Sequence, residues 1–273
     1  MSGRAFLPVR DRVSETRADS IAVRLKRKNE GEKVAKNLVI IPTYNERENI
    51  ARMIAAVRAL PSPFDILVVD DGSPDGTADI VESFQRQGDE HLHLIKRTGK
   101  AGLGTAYIAG FHWALARDYA CIFEMDCDFS HNPADLPRLL SALTDDGADV
   151  AVGSRYVRGG KCVNWPADRK VLSYGASWYV RLVTGMWVKD PTAGFVGYRR
   201  EVLAAIDLDR IRFVGYAFQI EMKFSAREKG FRIKEIPITF TDRIEGVSKM
   251  SKGIIQEAVF GVLQMKWRRL RRR

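Results

Sequence analysis

The sequence predicts an α/β fold: one domain on a Rossmann-like, mostly parallel sheet with helices on both faces, flanked by a basic N-terminal extension and an amphipathic C-terminal helix. Three observations carry that prediction. Continuously apolar runs recur at 38–41, 66–69, 120–123 and 150–152, as strands covered on both faces require. Segments of helical period, roughly 10–15 residues long, alternate with these runs, the signature of βαβ units. Turn-forming residues follow the runs, and in open α/β sheets ligands sit at the carboxyl ends of the strands.

The elements follow in order. Leu38-Val39-Ile40-Ile41, stopped by Pro42, is a first buried strand. Asn45 to Asn49 open a helix with Ile50, Met53, Ile54 and Val57 on one face. Ile66-Leu67-Val68-Val69 is a second strand, 75–87 a helix, and 92–95 a third strand. Gly102-Leu103-Gly104 leads into a helix that ends near Arg117. The run 120–125 is a fourth strand, 133–144 a helix and 149–152 a fifth strand. After 154 the alternation breaks down. Gly159-Gly160, Asn164-Trp165-Pro166 and Asp190-Pro191-Thr192-Ala193-Gly194 mark irregular connections between helices near 168–184 and 216–229 and a strand at 231–236. The expected division is an extension at 1–36, the domain at 37–250 and the terminal helix at 251–273.

Composition narrows the function. The chain has 273 residues and is 45% hydrophobic, enough for a substantial core. No run approaches the roughly 20 apolar residues that span a bilayer, and no signal peptide is evident, which predicts a cytoplasmic protein. Cys121, Cys127 and Cys162 are too few and too widely spaced for a disulfide framework or a thiolate metal site. The net charge of +10 is unevenly distributed: 1–36 contributes +5 and 266–273 contributes +6, leaving 37–265 nearly neutral. Basic tails on a neutral domain suit an anionic surface and argue against a catalytic face built for nucleic acid. Ile255, Val259, Leu263, Trp267 and Leu270 recur at about four-residue spacing before the basic end, which fits either a core-docking helix or an interfacial membrane helix.

Three strand-end loops hold the candidate chemistry. Asp126 and Asp128 flank Cys127 just past the fourth strand. In extended chain, alternate residues point the same way, so their carboxylates can converge on Mg²⁺ or Mn²⁺. Alone, Asp-x-Asp also fits a solvated acidic turn; its place at a strand's carboxyl end favours the site. Asp70-Asp71-Gly72-Ser73-Pro74-Asp75-Gly76-Thr77 follows the second strand; Asp71 there suits a ribose or base edge, while Asp75 suits a helix cap. Tyr44 and Glu46 leave the first strand, placed to stack on a base and to accept from a sugar hydroxyl. Arg155, Arg243 and Lys249 are candidate phosphate clamps on loops, against the plainer reading of surface charge.

These motifs, in this order, resemble those of the family 2 glycosyltransferases of the GT-A fold. The match includes Ile40 through Asn49, Val69 through Thr77, Met125 through Pro133 and Gly153-Ser154-Arg155. Asn164-Trp165-Pro166, Asp190 through Phe195 and Gly246-Val247-Ser248-Lys249-Met250 narrow the resemblance to the dolichol- and polyprenol-phosphate mannose synthases. The resemblance implies inverting transfer of mannose from GDP-mannose to a polyprenyl phosphate by an enzyme peripheral on the cytoplasmic face of a membrane. It places Pro42, Tyr44, Glu46, Val69 and Asp71 at the nucleoside. It places Asp126, the Cys127 backbone and Asp128 at the metal and diphosphate, and Arg155, Arg243 and Lys249 at phosphates. Some relatives put a Gln metal ligand two positions after the second aspartate, where this chain has the shorter Ser130. The carboxy-terminal membrane spans of some members are absent, so attachment is expected through the basic tails, with a separate membrane-anchor subunit as a possible partner. The alternatives are a sister enzyme using UDP-glucose or another donor, an aspartyl-nucleophile phosphohydrolase, and a non-enzymatic basic adaptor for membrane or nucleic acid.

Overall fold

A computed structural model describes residues 36–242 and 260–267. The basic N-terminal extension, Arg243, Lys249, Ile255, Val259 and the last six residues lie outside the described residues. The elements are β1 (Lys36–Thr43), α1 (Arg47–Arg58), β2 (Asp65–Asp70), α2 (Thr77–Arg86), β3 (Leu92–Lys96), α3 (Leu103–Leu115), β4 (Tyr119–Glu124), α4 (Leu136–Thr144), β5 (Val150–Ser154), β6 (Lys161–Val163), α5 (Ala167–Thr184), β7 (Val196–Arg199), α6 (Arg200–Ala205), α7 (Tyr216–Glu228), β8 (Ile233–Pro237) and β9 (Thr239–Thr241), with a further helix over 260–267.

The main sheet has the order β3-β2-β1-β4-β7-β5-β8. Every neighbouring pair in it is parallel except the two made by β7. Strand period decides the layers. Val39, Ile41, Ile66 and Val68 face α1 and α4 (Ile50, Met53, Leu139, Leu143), whereas Leu38, Ile40, Leu67 and Val69 face α3 and α7 (Tyr107, Phe111, Phe218, Met222). These strand residues have no exposed surface, and burying each such side chain contributes roughly 1.5–3 kcal/mol.

Two expectations need correction. Pro42 does not stop β1, which continues to Thr43. The Ile40 carbonyl accepts from Met125 N on the β4 side, so Pro42, two residues on, also faces that side. Pairing with β4 ends at Glu124, and no strand there needs the missing N–H. The other correction is β7, which the periodicity did not reveal. It runs antiparallel between β4 and β5, with Gly197 opposite Phe123. Any Cβ at Gly197 would collide with the Phe123 ring, so only glycine fits that position.

Candidate active site at the carboxyl ends of the strands

From β1 the chain winds outward through β2 to β3, then returns to place β4 on the other side of β1. The loops after β1 and β4 therefore diverge and leave a crevice between them. The acidic loops predicted from the sequence lie on its rim.

Short polar side chains tie the loops after β1 and β2 together. Asp70 Oδ1 accepts from Thr43 Oγ1 (2.8 Å) and Ser73 Oγ (2.6 Å), and its other oxygen accepts from Ser73 N. Asn45 N donates to Ser73 Oγ and Glu46 N to Thr77 Oγ1. Asp75 Oδ1 accepts from Thr77 N at the start of α2 while its Oδ2 accepts from Arg47 N at the start of α1, so one carboxylate serves two helix starts. Asp71 is left for other duty. It is 6% exposed and its Oδ1 lies 3.1 Å from Arg97 Nε. Burial raises its pKa, with Arg97 opposing. Lys100 Nζ sits 4.9 Å from the centre of the Tyr44 ring. Arg97 and Lys100 escaped the sequence reading because the glycine-rich segment after the third strand was read only as the lead into a helix, and no acidic motif marks it. Val69 is fully buried in the core, so only its backbone is available to a ligand.

The Asp126–Asp128 loop differs in detail from the expected extended segment. β4 ends at Glu124 and the chain bends through 127–130, with Phe129 at φ 59°. Cys127, between Asp126 and Asp128, is 2% exposed and packed in the core, whereas both aspartates are partly exposed and the charges of both bear on the Tyr107 phenol. Asp128 Oδ1 accepts from Ser130 N at 3.0 Å, and Tyr107 Oη donates to Asp126 Oδ1 at 3.4 Å. Burial, then Asp126 and Glu124, push the Tyr107 phenol well up, so it stays a donor. His131 stacks on Phe195, with Nδ1 3.8 Å from Asp126 Oδ2. Among the described residues no three His, Cys, Asp or Glu side chains form a closed metal cage. Two carboxylates at the rim of a cleft instead fit a hard divalent ion that completes its shell with phosphate and water. Ser130 Oγ is buried without a hydrogen-bond partner among the described residues, an orphan polar atom next to this loop.

Arg155 overturns the surface-charge reading. It is 9% exposed, and its Nε and Nη2 form a bidentate pair with Asp190 at 2.7 and 2.6 Å, while its backbone N donates to the same carboxylate. Nη2 also donates to Thr192 Oγ1. Asp190 is held in turn, because Glu235 accepts from the backbone N of Lys189 and Asp190. The guanidiniums of Arg155 and Arg169 lie 5.3 and 4.2 Å from the Trp165 ring, and Arg169 is paired in turn with Asp242 at 2.8 Å, so both cations of this corner have carboxylate partners. Sequence reasoning gave no role to Arg169 or to Asp190. Nor did it find a buried pair behind them, Glu124 at the end of β4 and Lys223 on α7, both fully buried. Burial raises the Glu124 pKa and lowers that of Lys223, each opposed by the other's charge.

Beside this corner, α5 is a helix of 18 residues with only Ser177, Val180 and Thr184 buried. Val171, Tyr174, Trp178 and Leu182 form an apolar stripe facing outward, and Trp187 beyond it is 82% exposed. A groove of about 490 Å³ lined by Tyr156, Tyr174, Trp178, Arg181 and Lys189 runs along this face. The 260–267 helix docks through Val262 and Met265 against Val180, Met186 and Ile220. Of the two roles expected for the stripe, core docking does not describe Leu263 and Trp267, which are 48% and 53% exposed and face away. Among the described residues no helix is long and apolar enough to cross a membrane.

Comparison with known proteins agrees with this geometry. The family model described as Glycosyl transferase family 2 matches residues 38–207. The chain is 51% identical over 229 residues to the polyprenol monophosphomannose synthase of Mycolicibacterium smegmatis, covering 84% of this chain and 86% of that one. It is 49% identical over 240 residues to the undecaprenyl-phosphate mannosyltransferase of Micrococcus luteus, covering 86% and 98%. Among solved structures, glucosyl-3-phosphoglycerate synthase from Mycobacterium tuberculosis, in complex with Mn²⁺, UDP and phosphoglyceric acid, superposes with TM-score 0.64 at 16% identity, covering 85% of this chain and 79% of that one. The mannosyltransferase PcManGT from Pyrobaculum calidifontis, in complex with GDP-Man and Mn²⁺, gives 0.56 at 18% identity, covering 96% and 75%. The chain belongs to glycosyl transferase family 2, is an enzyme of the GT-A fold, and groups with the polyprenol-phosphate mannose synthases.

Proposed function

We propose that this enzyme transfers mannose from GDP-mannose to a polyprenyl phosphate, with inversion at the anomeric carbon and with bound Mg²⁺ or Mn²⁺. The observation that carries the reading is that the acidic loops at the crevice and the Arg155–Asp190 pair, beside an apolar helix face, all lie beyond the carboxyl ends of strands of one sheet. The names of the relatives favour mannose and a lipid phosphate. Tyr44, Glu46, Asp71 and the backbone around Pro42 and Val69 would take the nucleoside. Asp126 and Asp128 would hold the cation, which neutralises the diphosphate when bound. Arg155, with Arg243 and Lys249 from the 241–250 loop, would face phosphates.

In the transfer an acceptor phosphate oxygen bonds to the anomeric carbon while that carbon's bond to GDP breaks and the electron pair leaves with GDP. The acceptor is a phosphate ester, largely dianionic near pH 7, so no side chain needs to remove a proton. The chain's contribution is alignment and charge neutralisation. Arg155 suits the first task more than the second, because Asp190 already balances its charge and fixes its plane.

Membrane attachment belongs to the same reading. Trp178 and Trp187, with the outward stripe of α5, suit the headgroup boundary of a bilayer, where aromatic rings gather. The basic tails would add attraction to anionic lipid on the cytoplasmic face, and a membrane-anchor subunit remains compatible with this surface. The full-length enzyme is to be assayed with GDP-mannose and with UDP-glucose, using a short polyprenyl phosphate and Mg²⁺ or Mn²⁺. Mannosyl lipid formed from GDP-mannose supports the proposal. Turnover of UDP-glucose alone overturns the donor assignment in favour of the sister activity.

A further inference from the structure

The turn Asp190-Pro191-Thr192-Ala193-Gly194 and the buried pair Glu124 and Lys223 meet behind the proposed site. Lys223 Nζ donates to the Ala193 carbonyl (2.7 Å), to Gln219 Oε1 (3.1 Å) and to the Gln219 carbonyl (3.2 Å). An ammonium has three protons, and all three are satisfied without direct contact to a carboxylate. Gln219 is the relay, since its Nε2 donates to Glu124 Oε2 at 2.5 Å. Glu124 is the last residue of β4, two before Asp126. At the other end, Ala193 lies three residues from Asp190, which grips Arg155. The turn also closes over the cation loop: a Cβ at Gly194 would lie 3.8 Å from His131 Cε1 and 4.0 Å from Gln219 Nε2.

We propose that Lys223 is a positioning residue for the transfer: by tethering the Ala193 carbonyl, with Gln219 linked to Glu124, it holds the turn that carries Asp190, and so Arg155, in one placement relative to the Asp126–Asp128 loop. A buried ammonium is costly, and its retention here is explained by a geometric task that an apolar residue would not perform. Glycosyl transfer requires such a task, because leaving group and acceptor must be aligned across the anomeric carbon. The turnover readout rests on the transferase reading above; the exchange readout below does not.

The informative variant is Glu124→Gln/Lys223→Met. Lys223→Met alone strands a buried carboxylate and is expected to destabilise the fold, whereas the double variant removes both charges, leaves an amide for Gln219 to bond, and deletes only the tether. In the full-length double variant, amide hydrogen exchange across 190–194 should accelerate roughly tenfold or more, while β1 and β2 stay protected. The kcat should fall roughly 10–100-fold with the KM for donor within about twofold, the split expected of lost alignment. Parent-like exchange in the turn, or parent-like kcat, overturns the tether. If the parent transfers no mannose but the turn still loosens in the variant, the function reading fails and the tether stands. A measurement on the unaltered enzyme covers the case of a variant that does not fold. The tether requires 190–194 and α7 to open as one unit in native-state exchange, and a turn opening orders of magnitude more readily than α7 overturns it.

Discussion

The proposed nucleotide side of the sheet and the side beyond β4 hold their loops by different means. Around Tyr44 and Asp71, hydroxyls and carboxylates of Thr43, Asp70, Ser73, Asp75 and Thr77 bond to one another and to helix starts, all within a few residues of the strand ends. Around Arg155, the loops are held by fully or nearly buried charges drawn from distant parts of the chain: Asp190, Glu124 and Lys223. The outer surfaces differ as well. α1 presents polar residues to solvent and buries Ile50, Met53, Ile54 and Val57, while α5 turns Trp178 and Leu182 outward. Many small, redundant hydrogen bonds suit a pocket for a soluble nucleotide. A few irreplaceable charges and an apolar rim suit a place where a charged group meets a lipid.

The comparison breaks most sharply at the acidic loop that joins the two sides. Asp128→Ala should lower turnover by roughly 10³-fold or more, since charge neutralisation by a metal contributes several kcal/mol. The variant also loses the hydrogen bond that Asp128 accepts from Ser130 N, worth about 1 kcal/mol, so its thermal midpoint is measured beside turnover to separate the two losses. Full metal-dependent turnover in the variant would remove Asp128 from the cation site. Asp190→Ala tests the opposite kind of dependence. It leaves Arg155 buried and unpaired, which should cost about 3–5 kcal/mol and lower the melting temperature on the order of 10 °C by calorimetry. A loss no larger than that of Ser73→Ala, about 1–2 kcal/mol for the two hydrogen bonds its hydroxyl makes, would erase the distinction between the two sides.

Surface behaviour gives the next largest effect. Trp178→Asp should weaken binding to anionic lipid vesicles roughly 10–100-fold in flotation, as expected for losing one buried aromatic anchor. The same change on the polar face of α1, at Arg52, should leave flotation within about twofold. Equal losses at both positions would mean that general charge, and not the α5 stripe, governs attachment.

The same contrast explains what was legible in the sequence. The proposed nucleotide side was readable because each strand is a local apolar run and each candidate residue lies within a few positions of its end. Tyr44, Glu46, Asp71, Asp126 and Asp128 all lie at the carboxyl ends of strands predicted from periodicity. β7 was not readable, because a strand of four residues containing Gly197 and Arg199 has no period to detect. Asp190 and Lys223 were not readable for a different reason. Their partners are 35 and 30 residues away in sequence, and no local pattern encodes a pairing at that range. The 260–267 segment was legible only as two alternatives, because four-residue apolar spacing says that a helix has an apolar face, not whether that face docks or stays exposed.

The smallest effect lies at the far end of the sheet, away from the site, where the nucleotide half is again held by several polar bonds. Burial pushes the Asp65 carboxyl up, but hydrogen bonds from His93, Tyr119 and His91 outweigh it and hold the pKa at about 2. A carboxylate depressed in the folded state adds stability that is fully present above its ordinary value of 3.8 and is lost as pH falls towards 2. Asp65→Asn should therefore be less stable than the parent by ~1–2 kcal/mol at pH 7 in urea denaturation, with the gap unchanged down to about pH 4 and closing between pH 4 and 2. The side chain is 14% exposed, so solvent screening takes little from that figure. Turnover at pH 7 should stay at the parent level, because Asp65 begins β2 and the site lies beyond its end at Asp70. A gap that persists undiminished at pH 2 would show that Asp65 contributes through shape and neutral hydrogen bonds, and that charge holds this half of the sheet no more at its base than at its nucleotide loops.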